Sequence, residues 1–134
     1  MYDVPLIIGD RDAPASGGAR FERRDPVRGE VATRAAAASV ADAQAACNAA
    51  AAAFPVWSAL PPSERRALLN RAADRLQERT PEFVKAMAAE TGASPMWASF
   101  NVRLAAGMLR EAAALITQIG GEVIPSDKPG LLAM

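Results

Sequence analysis

The sequence predicts a mostly α-helical chain with an N-terminal β-ribbon and strand pieces at its C-terminal end. Three observations carry that reading. Between residues 39 and 119, apolar side chains recur every three or four positions, the spacing of one helix face. Within that stretch Ser39, Pro61-Pro62, Thr80-Pro81 and Pro95 mark four helix starts. On either side, over residues 1–38 and 120–134, short apolar runs alternate with Gly, Pro and Asp turn formers.

Taken in order, residues 4–8 form a short apolar run closed by Gly9-Asp10, and residues 14–18 are a loop. Residues 21–24 and 30–36 are strand candidates flanking Asp25-Pro26-Val27-Arg28-Gly29, a turn with proline at its second position. Residues 1–38 are therefore expected to make a small antiparallel ribbon. Ser39 is the expected N-cap of the first helix. Asp42, three residues on, favours the positive helix end and imitates a capping box imperfectly. That helix runs through alanines to Phe54, where Pro55 is expected to end or bend it.

The second helix starts at Leu60-Pro61-Pro62 and carries Leu68, Leu69, Ala72, Ala73 and Leu76 along one stripe. Thr80 is the expected cap of the third, with Pro81 at its first helical position; it carries Phe83, Val84 and Met87 and stops near Gly92. The fourth and longest opens at Pro95. Trp97, Phe100, Leu104, Met108, Ala112, Leu115 and Ile119 step along one of its faces. Gly107 inside it marks either a close helix contact or a weak point worth about 1 kcal/mol against alanine. Gly120-Gly121 ends the helix, and residues 122–125 and 131–134 read as strand pieces around a polar turn. The apolar end at residues 131–134 has no cap or polar tail, so the chain is expected to be cut within an element.

Composition narrows the function classes. Apolar residues make up 51% of the 134, enough for a packed core, but aromatics are only 5% and alanine supplies much of the rest. The core is therefore expected to rest on Phe54, Trp57, Leu60, Leu68, Leu69, Leu76, Phe83, Trp97, Phe100, Leu104 and Leu115. The formal net charge is zero, which gives no electrostatic case for nucleic acid or an anionic membrane. Arg20, Arg23 and Arg24 cluster, but Glu22 and Asp25 interrupt them, as on a solvated strand. The single cysteine, the lack of a signal-like N-terminus and the lack of a long apolar segment together point to a cytoplasmic protein.

Catalytic constellations are not visible. The sequence holds no histidine, which removes Ser-His and Cys-His pairs and histidine metal sites. There is no G-x-G-x-x-G or Walker A run, and Gly17-Gly18 and Gly120-Gly121 read as turns. Cys47 lies mid-helix without a basic neighbour and is expected to be a small buried residue. Glu90 has no visible partner in the sequence and is expected to be a solvated or helix-capping acid. The Trp97, Phe100 and Leu104 stripe reads as helical core or as the lining of an aromatic pocket. No catalytic, cofactor-binding or metal-binding residue is assigned.

Several segments, in order, resemble the aldehyde dehydrogenase superfamily. Asp25-Pro26-Val27-Arg28-Gly29-Glu30-Val31 is similar to its Asn-Pro-x-x-Gly-Glu-x turn, with Asp in place of Asn. The alanines before Phe54 and Trp57, the Ala73-Asp74-Arg75-Leu76 run, Glu90-Thr91-Gly92 and Ile124-Pro125 resemble successive family segments. Around Ala93-Ser94-Pro95-Met96-Trp97 and residues 122–127, the sequence looks like the salicylaldehyde and vanillin dehydrogenase branch.

The resemblance implies an α/β fold with an NAD(P)-binding domain, a catalytic domain and strands that build a homo-oligomer. Residues 1–38 would be an outer ribbon, residues 39–119 four helices, and residues 120–134 the start of the oligomerisation strands. It implies oxidation of a small-molecule aldehyde, of aromatic character, by a cysteine thiolate, a glutamate base and NAD or NADP. Those residues would follow Met134, so this segment alone would be inactive and bind no cofactor. Its one implied contribution to the site is a wall of the substrate tunnel built from Trp97, Phe100 and Leu104. A non-catalytic helical interaction module and a truncated remnant are the alternatives.

Overall fold

The structure, a computed structural model, describes residues 1–131. Five short strands precede four helices: β1 (Tyr2–Val4), β2 (Leu6–Ile8), β3 (Arg11–Ala13), β4 (Arg20–Arg24), β5 (Val31–Ala36), α1 (Val40–Ala59), α2 (Pro62–Glu78), α3 (Thr80–Thr91) and α4 (Pro95–Leu115). A 3-10 turn, Ile116–Gln118, extends α4. The layout is the expected one, helical with an N-terminal ribbon.

The ribbon differs from the expectation in pairing. Residues 4–8 are not one strand, because Pro5 has no N–H to continue a ladder. Before it, β1 pairs parallel with β5, Tyr2 opposite Thr33. After it, β2 forms a hairpin with β3 across Gly9-Asp10, Leu6 opposite Ala13. Arg-Asp-Ala of β3 carries no strand propensity; the hairpin partner supplies its ladder. β4 and β5 are antiparallel as expected, with a register shift between Arg23 and Arg24. The three-stranded sheet therefore has the order β1-β5-β4 and is mixed.

The β4–β5 turn is built by Asp25. Its Oδ1 accepts from the Val27 N–H at 2.8 Å and the Arg28 N–H at 3.0 Å. Those donors favour the ionised form and hold the Asp25 carboxyl below its usual range. Gly29, at φ 74°, takes the left-handed position that closes the turn.

At the start of α1 the capping box is complete rather than imperfect. The Ser39 hydroxyl accepts from the Asp42 N–H at 3.2 Å, and Asp42 Oδ2 accepts from the Ser39 N–H at 2.8 Å. Asp42 also accepts from the Ser16 N–H at 3.1 Å, which ties the loop after β3 to the helix. Further on, Pro55 does not end α1, which continues to Ala59. The fixed φ of proline fits a helix. Only the bond to the Ala51 carbonyl is lost, and the alanines before it supply high helix propensity. Thr80 does not cap α3 either: its hydroxyl donates back to the Gln77 carbonyl at 2.6 Å. Arg79 alone separates α2 from α3 and grips Glu82 with a fork of hydrogen bonds, the shortest 2.7 Å. That pairing holds the Glu82 carboxyl below its usual range and raises Arg79.

The core reverses the expectation. α4 lies against α2 and α3, and the covered residues are small: Ala73 of α2, with Ala98, Val102, Ala106 and Ala113 of α4, and Ile116 in the following turn. Leu60, Leu69 and Leu76 are half-buried. Phe54, Trp57, Leu68, Phe83, Trp97, Phe100, Leu104 and Leu115 are exposed instead of buried. α4 carries two apolar stripes of the same period, one small and one large, and spacing cannot say which turns inward. Alanines let helix backbones approach closely, so the small stripe makes the contact. Polar clamps secure it: Arg66 Nε donates to the Ala113 carbonyl at 3.1 Å, and Arg110 pairs with Asp74 at 2.7 Å. Gly107 is no close contact. It lies exposed, with open space where a Cβ would stand.

Beyond α4 the expected strand over residues 122–125 reduces to a single bridged residue, Ile124. The second expected strand piece, over residues 131–134, falls beyond Leu131 outside the described residues. Among the described residues, no helix is long and apolar enough to cross a membrane.

Candidate functional site

The large apolar face of α4 is the feature that the core leaves over. Its origin is fixed by Ser94, whose hydroxyl accepts from the Trp97 N–H at 3.3 Å, and by Pro95 in the first turn. Trp97 and Phe100, three residues apart, turn to the same side. Their rings lie 5.3 Å apart between centroids at 24°, so they stack into one plate. Leu104 continues the same face. Trp97 is 56%, Phe100 42% and Leu104 47% exposed. Asn101 donates its side-chain amide to the Trp97 backbone carbonyl, one turn back, at 2.8 Å.

These side chains carry no titratable group. They can bind and orient an apolar partner, best a flat π-system that stacks on the plate, but they move no proton. Trp97, Phe100 and Leu104, the residues expected to line a pocket, thus share one exposed face.

A second cluster lies where α3 turns into α4. Thr33 of β5, almost wholly buried, donates its hydroxyl to Glu90 Oε1. Arg23 of β4 approaches Glu90 Oε2 at 3.5 Å. Glu90 is therefore partnered and half-buried, not the free acid the sequence suggested. Two residues on, Gly92 ends α3 in the left-handed region at φ 68°. A Cβ there would stand 3.2 Å from Pro26 Cγ, so the β4–β5 turn packs directly on this corner. The motif Glu90-Thr91-Gly92 was visible in the sequence. Its partner Thr33, 57 residues earlier, was not.

Other candidates carry less. Cys47 is exposed on α1, against the expectation of burial, because α1 meets the rest of the molecule mainly along the side facing β2. Among the described residues, no group of His, Cys, Asp and Glu is arranged to hold a metal ion. A dinucleotide phosphate would seek a free helix N-terminus. Here the start of α1 is filled by the Asp42 carboxylate, and Ser94 caps α4. Glu64 and Glu82 place acids in the first turns of α2 and α3. Each of the four helix starts thus carries a side-chain cap or a first-turn acid.

Among the described residues, five short strands precede four helices, and α4 turns an aromatic face outward. The structure superposes on that of a salicylaldehyde dehydrogenase from Pseudomonas putida G7, solved with salicylaldehyde, with a TM-score of 0.95 and 46% identity. The likeness covers 98% of this chain and 27% of that one. An NAD-dependent benzaldehyde dehydrogenase from Corynebacterium glutamicum matches with a TM-score of 0.86 and 31% identity over 92% of this chain and 27% of its own. A vanillin dehydrogenase from Pseudomonas fluorescens is 59% identical across all 134 residues. The aldehyde dehydrogenase family profile matches residues 13–134, and the chain belongs to that family. It spans about 28% of the length of the vanillin dehydrogenase.

Proposed function

We propose that this chain is the N-terminal portion of an NAD(P)-dependent dehydrogenase that oxidises an aromatic aldehyde to its acid. The stacked Trp97–Phe100 plate on α4 is the observation that carries the reading. In this reading Trp97, Phe100 and Leu104 form one wall of the substrate tunnel. The aldehyde ring stacks on the two side chains and its reacting carbon is held away from bulk water. The relatives act, by their names, on vanillin, salicylaldehyde and benzaldehyde, all aromatic aldehydes.

The nucleophile, the base and the NAD(P) site then belong to segments beyond this one. In the same reading, residues 1–38 are an outer ribbon and residues 39–119 a helical layer. Residues from 120 onward begin the strands through which a homo-oligomer assembles. A cytoplasmic location belongs to the same reading.

The test is to read the coding sequence past the codon for Met134. A frame that continues through Pro-Trp-Asn and later Gly-Gln-x-Cys, and whose product reduces NAD+ with benzaldehyde, supports the reading. An immediate stop codon, or a full-length product without that activity, rejects it.

A further inference from the structure

Glu90 is placed where local helix physics disfavours it. It is the penultimate residue of α3, and a carboxylate near a helix C-terminus faces the negative end of the dipole. Its position is offset from outside the helix. Each carboxylate oxygen has a partner on the three-stranded sheet: the Thr33 hydroxyl from β5 on Oε1 and the Arg23 guanidinium from β4 on Oε2. Thr33 is 2% exposed, so water cannot easily replace the carboxylate as its acceptor.

From Glu90 to the aromatic plate the chain has little slack. α3 ends at Thr91, Gly92 is fixed in the left-handed region against Pro26, Ser94 caps α4, and Pro95 has a locked φ. A shift of Glu90 would be passed on to Trp97 rather than absorbed in a loose loop. We propose that Glu90 is a positioning residue: gripped by Thr33 and Arg23, it sets the corner from which Trp97 and Phe100 meet an aromatic substrate. It thereby favours aromatic over aliphatic aldehydes. This rests on the reading of the α4 face as a substrate wall.

The test uses the full-length dehydrogenase at saturating NAD+, with KM and kcat measured for benzaldehyde and for propanal. Thr33→Val keeps the shape of the side chain and removes the hydroxyl; Glu90→Ala removes the acceptor. Both are expected to raise the benzaldehyde KM about fivefold while the propanal KM moves less than about twofold. Thr33→Ser restores the hydroxyl and the benzaldehyde KM. Equal changes for both aldehydes, or none, would leave Glu90 a purely structural contact and overturn the proposal. Trp97→Ala separates the two ideas. If it raises the benzaldehyde KM while Thr33→Val does not, the wall stands and the positioning role falls. If it changes nothing, the wall itself is wrong and the proposal goes with it. KM does not depend on the fraction of enzyme that folds. Should Thr33→Val give no soluble enzyme, Glu90→Ala is read by the same ratio.

Discussion

Helices α1 and α4 are made of nearly the same material, 20 and 21 residues rich in alanine, and the protein holds them in opposite ways. α1 buries one residue, Asp42, at its N-terminal end. The Ser39–Asp42 box and the Ser16 N–H fasten that end, while Phe54, Val56 and Trp57 near the other end stay exposed. α4 is fastened along its length, with Ala98, Val102, Ala106 and Ala113 against its neighbours. Propensity and capping are enough to form a helix; only a continuous stripe of fitting size docks it.

The sharpest way to break this contrast is to enlarge an alanine in each helix. Ala106 is completely covered, so Ala106→Leu is expected to cost about 1–3 kcal/mol in a denaturant titration. Ala45 on α1 is exposed, and Ala45→Leu is expected to stay within about 0.5 kcal/mol. Equal losses would mean that α1 is docked as α4 is. Pro55→Ala should restore the missing hydrogen bond in α1, adding about 2 kcal/mol and slowing amide exchange in its last turns. No gain would show that the fixed φ of Pro55 already offsets the lost bond.

Removing the fastening should loosen α1 alone. Ser39→Ala is expected to cost about 1 kcal/mol, with faster amide exchange confined to the first turns of α1. Gly107→Ala sharpens the other side of the contrast. With open space around it, the change should stabilise α4 by about 0.5–1 kcal/mol. The smallest effect is that of pH. Hydrogen bonds from the Ser39 and Ser16 N–H groups hold the folded Asp42 carboxyl below its usual range. Its contribution is therefore complete above about pH 4, the ordinary carboxylate value, and is lost as pH falls through the lowered folded value. Melting curves of the native chain and Asp42→Asn should accordingly converge in acid. A difference that persists unchanged to low pH would rule out this source.

What the sequence made legible was local. The helix starts at Ser39, Pro62 and Pro95, the Asp25–Gly29 turn and the stop at Gly92 each depend on residues within a few positions of one another and match the sequence reading, whereas α3 starts one residue early, at Thr80. What it hid was non-local. Thr33 and Glu90 meet only because β5 and α3 pack together. β3 exists only because β2 lies beside it. The core was misjudged for a related reason. Leucine and tryptophan bury more area than alanine, so size argued for Trp97 and Leu104 as core. The close approach of α4 to α2 and α3 favours Ala98 and Ala106 instead. The family resemblance was carried by short motifs in order, and it pointed to the α4 face for which helix periodicity alone gave two readings.

The proposed role of that face is tested by steady-state kinetics of the full-length protein. The double variant Trp97→Ala, Phe100→Ala removes the plate and leaves the alanine face of α4 untouched. Its kcat/KM is expected to fall at least about tenfold for benzaldehyde and to change little for propanal. Loss for both aldehydes in equal measure, or for neither, would contradict it and return Trp97 and Phe100 to the role of packing residues.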